Sequence, residues 1–332
     1  MDRQTADEVL ECLVGERTLY HYYRDRYSIG LLRHLSRRQA LRIAALKQSP
    51  YAQLLQKPRV RNILADSGGK EIDDMQLARH DYDADQTDFV LTLGTWGSEL
   101  KRETCWKQTS RPGYNLVLQL NFCRRHDRLF QRLGYTGDSF NYRGHPVSER
   151  RNTLAWARID LDWQTGTALI EEIQSDWIRR VAWLGERVAG RLKSGQQPAD
   201  ETRYCGLKCS LQTTQEYCRF ALERYAAIWA EAMLWATIAF VREELGLQRI
   251  YYHSEESGRL LKNIRGKLPP RSLYTDLPRK FCFVPTQETP EFLLRASGVG
   301  KAIRQREGLS FFQLTTSLPL PSPLPRREMT RD

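Results

Sequence analysis

The chain has 332 residues, enough for one large domain or two smaller ones, and 41% of them are hydrophobic, enough to bury a sizeable core. No run of 18 apolar residues occurs, and the N-terminus lacks the basic start and apolar block of a secretory signal. We therefore expect a cytoplasmic protein with no membrane partner. The formal net charge of +11 favours polyanionic partners.

The first 75 residues are predicted to form a basic helical region, because apolar residues recur at helical spacing after Ser36. Between His21 and Asn62, ten Lys or Arg residues stand against one acid, Asp25. This excess suits a nucleic-acid contact as well as an ordinary solvated helical face, so both interpretations stay open. The candidate nucleic-acid-binding residues are Arg33, Arg37, Arg38, Arg42, Arg59 and Arg61.

Residues 80–312 are predicted to form an α/β (α+β) core, a mixed β-sheet with flanking helices. Alternation predicts a strand at 88–97 and a hairpin over 152–177, with Gly166 in its turn. A long helix or a broken pair of helices is predicted over 212–245. The order strand, strand, helix, long helix, strand, helix, strand after residue 150 predicts a mixed sheet.

Residues 315–332 are predicted to be a flexible proline-rich tail, which could recruit a protein partner. Its prolines alternate along the chain at Pro319, Pro321, Pro323 and Pro325.

The seven cysteines are odd in number and irregular in spacing, so no disulfide framework is predicted. Cys205, Cys209 and Cys218 are close in sequence, but a metal site needs a fourth ligand that nothing ties to them. No metal site is therefore predicted, although it stays open whether these three thiols bind a metal ion.

The stretch ALIEEIQSDW, residues 168–177, begins like a core strand and then carries many polar groups. Since side chains alternate along a strand, Glu172, Gln174 and Asp176 should share a face with Ile170, and Glu171 should point the other way. Polar groups at the carboxyl end of a strand lie where α/β folds usually place ligands. The pattern therefore predicts a functional site.

A structural role for these groups is the alternative. Asp176 could cap the following helix, and Glu172 could pair with Arg158 across the hairpin.

Three further residues are candidates by their position. His253 ends the predicted strand RIYYH and would be an acid–base residue if that strand neighbours the polar strand; otherwise it is a turn residue. Arg143 and His145 belong to the loop YTGDSFNYRGHPVSER, whose length is typical of functional loops. Together with Arg158, they form the predicted ligand-binding set.

The motif EIQSDW and the hairpin NTLAWARIDLDWQTGT before it resemble a domain of large polyvalent proteins from phages and conjugative elements. The resemblance covers roughly residues 80–285 and extends to the helix IWAEAMLWATIAFVREELGLQRIYY. It implies a mobile-element or host-conflict context rather than a reaction. The sequence departs from that domain at RIYYHSEES, where a Trp-Thr-Thr-Gly-like run is usual.

The order of hairpin, helix, strand, helix and SLYTDLPRKFCF also resembles the end of the GNAT acyltransferase fold. This resemblance implies that Tyr274 is a general acid, that Phe283 lies in the last strand, and that Glu172 or Asp176 is the base, acting through a water. It also implies a Q/R-x-x-G-x-G/A loop for the coenzyme A pyrophosphate. The nearest run, RVAGRL at 187–192, lacks the final small residue.

Two main hypotheses follow. In the first, the protein is a GNAT-like acyl- or aminoacyl-transferase of unknown cofactor, with acyl-CoA or aminoacyl-tRNA as donor. In the second, it binds DNA or RNA through its Arg-rich helices and the polar strand is structural. A third hypothesis is an interaction protein recruited through its tail. The predicted catalytic residues of the first are Glu172, Gln174, Asp176, His253 and Tyr274.

Overall fold

The computed structural model describes residues 1–13, 18–134, 140–264, 270–306 and 308–315. The described chain divides into a larger unit, residues 1–27 and 83–314, and a smaller unit, residues 28–82 with residue 315. The predicted proline-rich tail beyond residue 315 lies outside the described residues.

Strands and helices alternate along most of the described chain. The strands are β1 (Thr18–Tyr22), β2 (Leu41–Arg42), β3 (Glu71–Ile72), β4 (Thr87–Ser98), β5 (Gly113–Phe122), β6 (Thr153–Asp162), β7 (Thr167–Gln174), β8 (Glu201–Tyr204), β9 (Leu207–Ser210), β10 (Arg249–His253), β11 (Phe283–Thr286) and β12 (Phe311–Leu314). The α-helices are α1 (Arg3–Leu13), α2 (Arg26–Ser36), α3 (Ile43–Lys47), α4 (Pro58–Asp66), α5 (Asp74–Arg79), α6 (Thr104–Lys107), α7 (Arg124–Gln131), α8 (Asp176–Lys193), α9 (Leu211–Ala221), α10 (Trp229–Ala239), α11 (Glu255–Leu261), α12 (Asp276–Lys280), α13 (Glu291–Arg295) and α14 (Val299–Arg304).

One mixed sheet organises the larger unit, in the order β1-β4-β5-β6-β7-β10-β12-β11. Strands β7 and β10 run parallel, and the other neighbouring strands of this sheet are antiparallel. Helices flank the sheet, so the predicted mixed α/β class is confirmed.

The predicted hairpin forms between β6 and β7, and Gly166 occupies its turn with φ +64°. Strand β6 is buried at nine consecutive positions, which means that both faces of the sheet are covered there. Helices α8 and α10 both contact it. The predicted long helix is a broken pair, α9 and α10, separated by a π-helical turn at Leu222–Ala226.

A β-bulge interrupts the hairpin at Glu171. Arg158 is in register with Glu172, whereas the next residue, Ile159, is in register with Ile170, so Glu171 has no register partner. Because Arg158 and Ile159 point to opposite faces, Glu172 and Ile170 do too. The expectation that Ile170 and Glu172 share a face was therefore wrong, since a bulge adds one residue and resets the alternation.

The smaller unit contains most of α2, helices α3 to α5 and the short β2–β3 ladder. Helix α5 begins with a capping box between Asp73 and Gln76. The helical character expected for residues 1–75 is found here. Residues 18–22 instead form strand β1 of the large sheet, where they pair with β4, so the first 27 residues belong to the larger unit.

Candidate functional site: a buried ionic network and an arginine-lined cleft

Two cationic side chains and one carboxylate meet beside the bulge. We call Arg158, Lys262 and Glu172 the buried ionic network. Arg158 Nη2 donates to Glu172 Oε2, and Lys262 Nζ lies 3.5 Å from the same oxygen. Lys262 also donates to the backbone oxygen of Glu171 and to the hydroxyl of Tyr274, each at 3.0 Å. The three charged side chains are at most 2% exposed.

Two positive charges face the single carboxylate of Glu172 in this network. Burial by itself raises the pKa of Glu172, but Lys262 and Arg158 outweigh burial and bring that pKa down to about 2. Burial lowers the pKa of Lys262, against the attraction of Glu172. Gln174 Nε2 donates to the second oxygen of Glu172. Glu172 is therefore an ionised carboxylate whose two oxygens are both engaged by protein groups.

A second buried cluster adjoins the network on the other side of Glu171. The carboxylate of Glu171 accepts hydrogen bonds from the backbone N–H and the hydroxyl of Ser110, at 3.1 and 2.8 Å. Ser110 Oγ also lies 2.8 Å from His253 Nε2. Since the hydroxyl proton goes to Glu171, Oγ accepts from an Nε2-protonated His253. His253 Nδ1 then accepts from the hydroxyl of Ser257 at 3.0 Å.

This geometry does not activate Ser110 as a nucleophile. The bond runs from His253 to the hydroxyl oxygen, the reverse of what a general base requires. Ser110, Glu171 and His253 are all at most 1% exposed. Burial also lowers the pKa of His253, which keeps the ring neutral. The cluster is a closed set of satisfied hydrogen bonds.

A cleft of about 900 Å³ lies elsewhere in the larger unit, and we call it the arginine-lined cleft. Its lining includes basic, aromatic and acidic side chains. The charged and titratable residues of the lining are Asp127, Arg143, His145, Glu149, Arg150 and Arg151.

His145 forms the polar pair of this cleft with Asp176. His145 Nδ1 lies 2.7 Å from Asp176 Oδ2, and the two side chains are 28% and 2% exposed. Arg179 Nη2 contacts the other oxygen of Asp176. A proton on Nδ1 that is donated to this carboxylate leaves Nε2 as the proton acceptor of the ring. This is the arrangement of an oriented acid–base histidine.

The short sequence YRGHP positions His145. Its backbone N donates to the carbonyl of Tyr142 at 2.9 Å, which closes a turn. The carbonyl of Pro146 accepts from Gln119 Nε2 on β5 at 3.0 Å, so the loop is fastened to the sheet. Asp176 is the first residue of α8, and the preceding Ser175 caps that helix by accepting from the backbone N of Ile178.

The predicted catalytic residues thus divide between two places. Glu172, Gln174 and Tyr274 belong to the ionic network or contact it, and His253 lies in the cluster beside it. Asp176 alone reaches the cleft residue His145.

The predicted ligand-binding residues divide in the same way. Arg143 and His145 line the cleft, whereas Arg158 is buried in the network. The pairing of Glu172 with Arg158, which the sequence offered as a structural alternative, is present. Ser110, Glu171 and Lys262 were not among the predicted site residues, because no local sequence pattern indicates a bulge or a distant lysine that contacts it.

The six predicted nucleic-acid-binding arginines lie in the smaller unit. Arg33 is held by Asp74 at 2.8 Å, and Arg59 donates to the carbonyl of Tyr82. Arg42 is 77% exposed and 3.5 Å from Glu71. The remaining three, Arg37, Arg38 and Arg61, are exposed.

Two implications of the sequence have no counterpart in the described residues. The run RVAGRL lies in the second half of α8, so it provides no helix N-terminus for a pyrophosphate. Phe283 lies in β11, the edge strand beyond β12, rather than in β12, the last strand of the described residues.

Within the described part of the chain, no group of three or more His, Cys, Asp or Glu side chains is placed to hold a metal ion. Cys205 is exposed and Cys218 is buried, and burial raises the pKa of Cys218 to about 12. None of the described helices is both long enough and apolar enough to span a membrane.

Comparison with known proteins returned no match to a family model, a curated protein or a solved structure.

Proposed function

We propose that this protein is a GNAT-like acyl- or aminoacyl-transferase that works in the arginine-lined cleft. His145 is its acid–base residue, and Asp176 is the positioning residue behind it. The observation that carries the proposal is the 2.7 Å contact between His145 Nδ1 and the buried carboxylate of Asp176 in a wide cleft.

The element order supports the GNAT-like part of the proposal. Hairpin β6–β7 leads into α8, and after β8, β9, α9 and α10 come the parallel strand β10, helices α11 and α12 and strand β11. Apart from the inserted elements β8 to α10, this order is similar to the hairpin, helix, strand and helix of the resemblance. The parallel pair β7–β10 lies inside an otherwise antiparallel sheet, and β7 carries its bulge next to the point where this pairing ends.

Burial favours the cleft over the ionic network as the place of reaction. A general base must reach the proton that it removes, directly or through one water. Glu172 and His253 are at most 1% exposed and are engaged by protein groups. The hydroxyl of Tyr274 is engaged by Lys262. His145, predicted from the sequence as a ligand-binding residue, is the histidine that lines open space.

The chemistry follows from the orientation of the ring. An acceptor amine attacks the acyl carbonyl carbon, a carbon–nitrogen bond forms, and the bond to the leaving oxygen or sulfur breaks. His145 Nε2 takes the proton of the attacking amine and returns it to the leaving group. Asp176 stabilises the imidazolium between these two events.

A transfer assay tests this proposal. The protein is incubated with labelled acetyl-CoA or labelled aminoacyl-tRNA and a mixture of amine acceptors, and transferred label is counted. His145→Ala should lower the rate about 10²- to 10⁴-fold. Asp176→Asn should lower it and also shift the pH profile of kcat/KM, which a purely structural role would not do. Wild-type-like transfer by His145→Ala would refute the proposal, as would no transfer from either donor.

The chain offers a matched control for these variants. His21 Nδ1 and Asp88 Oδ1 are also 2.7 Å apart, but both side chains are exposed and neither lines the cleft. His21→Ala and Asp88→Asn should leave transfer unchanged.

A second candidate function is nucleic-acid binding by the smaller unit. The exposure of Arg37, Arg38 and Arg61, with Arg42 77% exposed, is the observation that favours it. Arg37→Glu with Arg38→Glu should weaken binding to long DNA or RNA, and wild-type affinity should fall steeply as salt rises. Binding that does not depend on salt would contradict it.

A further inference from the structure

We infer that the arginine-lined cleft receives the end of a single-stranded nucleic acid. Tyr142, which lies beside the cleft against the lining residue His145, provides the stacking surface, and Arg143, Arg150 and Arg151 contact phosphates. The inference deepens the proposed function, because the acyl group is then carried by a nucleic acid. That part of the inference rests on the proposed function. Binding itself does not require the transfer reaction.

Tyr142 is the first observation behind this inference. Its side chain is 48% exposed, yet its position is defined on two sides. Arg180 Cζ lies 5.5 Å from the ring centroid, and the His145 ring meets it edge-on at 4.8 Å. Arg180 is itself tied to the backbone oxygen of Asn141 at 2.9 Å. A held but exposed aromatic ring is a surface on which a base stacks without sequence preference.

Gly144 is required for this position of the ring. A Cβ atom at Gly144 would lie 2.6 Å from Cε1 of Tyr142, closer than real contacts allow. The glycine in YRGHP therefore lets the tyrosine fold back over its own turn. Any larger residue would displace the ring.

The charges of the cleft form the second observation. Arg143 and Arg150 are exposed and Arg151 is partly exposed, all within the lining. Guanidinium groups match the geometry of phosphate oxygens. Two acids, Asp127 and Glu149, also line the cleft, and Asp127 accepts a hydrogen bond from Asn152 at 2.9 Å. Three arginines against two acids leave an excess of positive charge.

Coenzyme A also carries a base and phosphates, but the start of α8 disfavours it. A pyrophosphate at a helix N-terminus needs free backbone N–H groups and no nearby negative charge. Here the hydroxyl of Ser175 already accepts from the N–H of Ile178, and the carboxylate of Asp176 stands in the first turn. A polynucleotide end that uses the arginines avoids this carboxylate.

The test is fluorescence anisotropy with a labelled single-stranded RNA trinucleotide ending in CCA, too short to span distant sites. Tyr142→Ala should weaken binding about 5- to 150-fold, the range of one base stack. Gly144→Ala should weaken it as well, because it displaces the ring without removing it. Trp183→Ala is the matched control: Trp183 is 45% exposed, and its ring packs against Tyr204 and Arg187, neither of which lines the cleft.

Several outcomes would overturn the inference. These are coenzyme A competing more strongly than the trinucleotide, equal binding of duplex RNA, or loss of binding in Arg37→Glu with Arg38→Glu but not in Tyr142→Ala. Trinucleotide binding without any transfer would keep the inference and remove the proposed function. Transfer from acetyl-CoA without trinucleotide binding would do the reverse.

Discussion

Lys262 Nζ lies 3.5 Å from Oε2 of Glu172, and both side chains are almost completely buried. The lysine contacts the backbone of β7 just beyond the point where β7 stops pairing with β10, since that pairing ends at Ile170 and Tyr252. Its bond to the carbonyl of Glu171 satisfies one of the groups that the bulge leaves unpaired. The network therefore stabilises the sheet where its two parallel strands separate.

Lys262→Met should destabilise the protein by about 3–5 kcal/mol, the usual cost of breaking a buried ion pair by removing one partner. The free energy of unfolding would be measured by urea titration. Lys208→Met is the control, since Lys208 is 59% exposed and its 3.3 Å pair with Glu201 lies at the surface. A loss no greater than that of the control would mean that the network is not a stabilising element.

Glu172 should make stability depend on acid pH. Its pKa is about 2 in the folded protein, held there by Lys262 and Arg158 against the effect of burial, and 4.5 in an unfolded chain. Because the folded pKa is depressed, this contribution is full above about pH 4.5 and is lost as the pH falls towards 2. Urea midpoints would be compared from pH 6 to pH 2. Glu172→Gln should flatten the slope in that window, and an unchanged slope would refute the assignment.

The pKa values of His126 and His253 should lie below 6.5. Burial lowers the pKa of both rings, in His126 despite the neighbouring Asp127. Since each folded pKa lies below the unfolded value, their contribution is full above pH 6.5 and declines as the pH falls below it. NMR titration of the histidine ring protons measures this directly. Ring protons of His126 or His253 that titrate at pH 6.5 or above would contradict the burial.

Trp177→Ala should cost about 3–5 kcal/mol, the range for truncating a buried large aromatic side chain. Trp177 is 0% exposed, contacts the rings of Phe122 and Phe130 edge-on, and donates from its indole N–H to Tyr217 at 2.9 Å. Thermal and urea unfolding would give the loss. Trp106, which is 85% exposed, is the control, and its replacement by Ala should change stability by no more than about 0.5 kcal/mol.

Much of the local structure was accessible from the sequence. Period-two alternation marked the hairpin that forms between β6 and β7, and Gly166 marked its turn. Ser254 caps α11, and Ser257 three residues on completes a capping box. These features depend on neighbours within a few residues, so local propensity and periodicity determine them.

Only the tertiary structure decided which polar groups meet. The bulge at Glu171 reset the faces of the polar strand, and Lys262 reached the carbonyl of Glu171 from 91 residues away. His145 contacts Asp176, which is 31 residues away in the sequence. Periodicity specifies how side chains alternate within one element, whereas strand register, strand separation and loop anchoring bring distant residues together. The amino-acid sequence by itself determined the helices and strands of the mixed α/β fold. Tertiary packing determined that Glu172 is buried and that His145 lines a cleft.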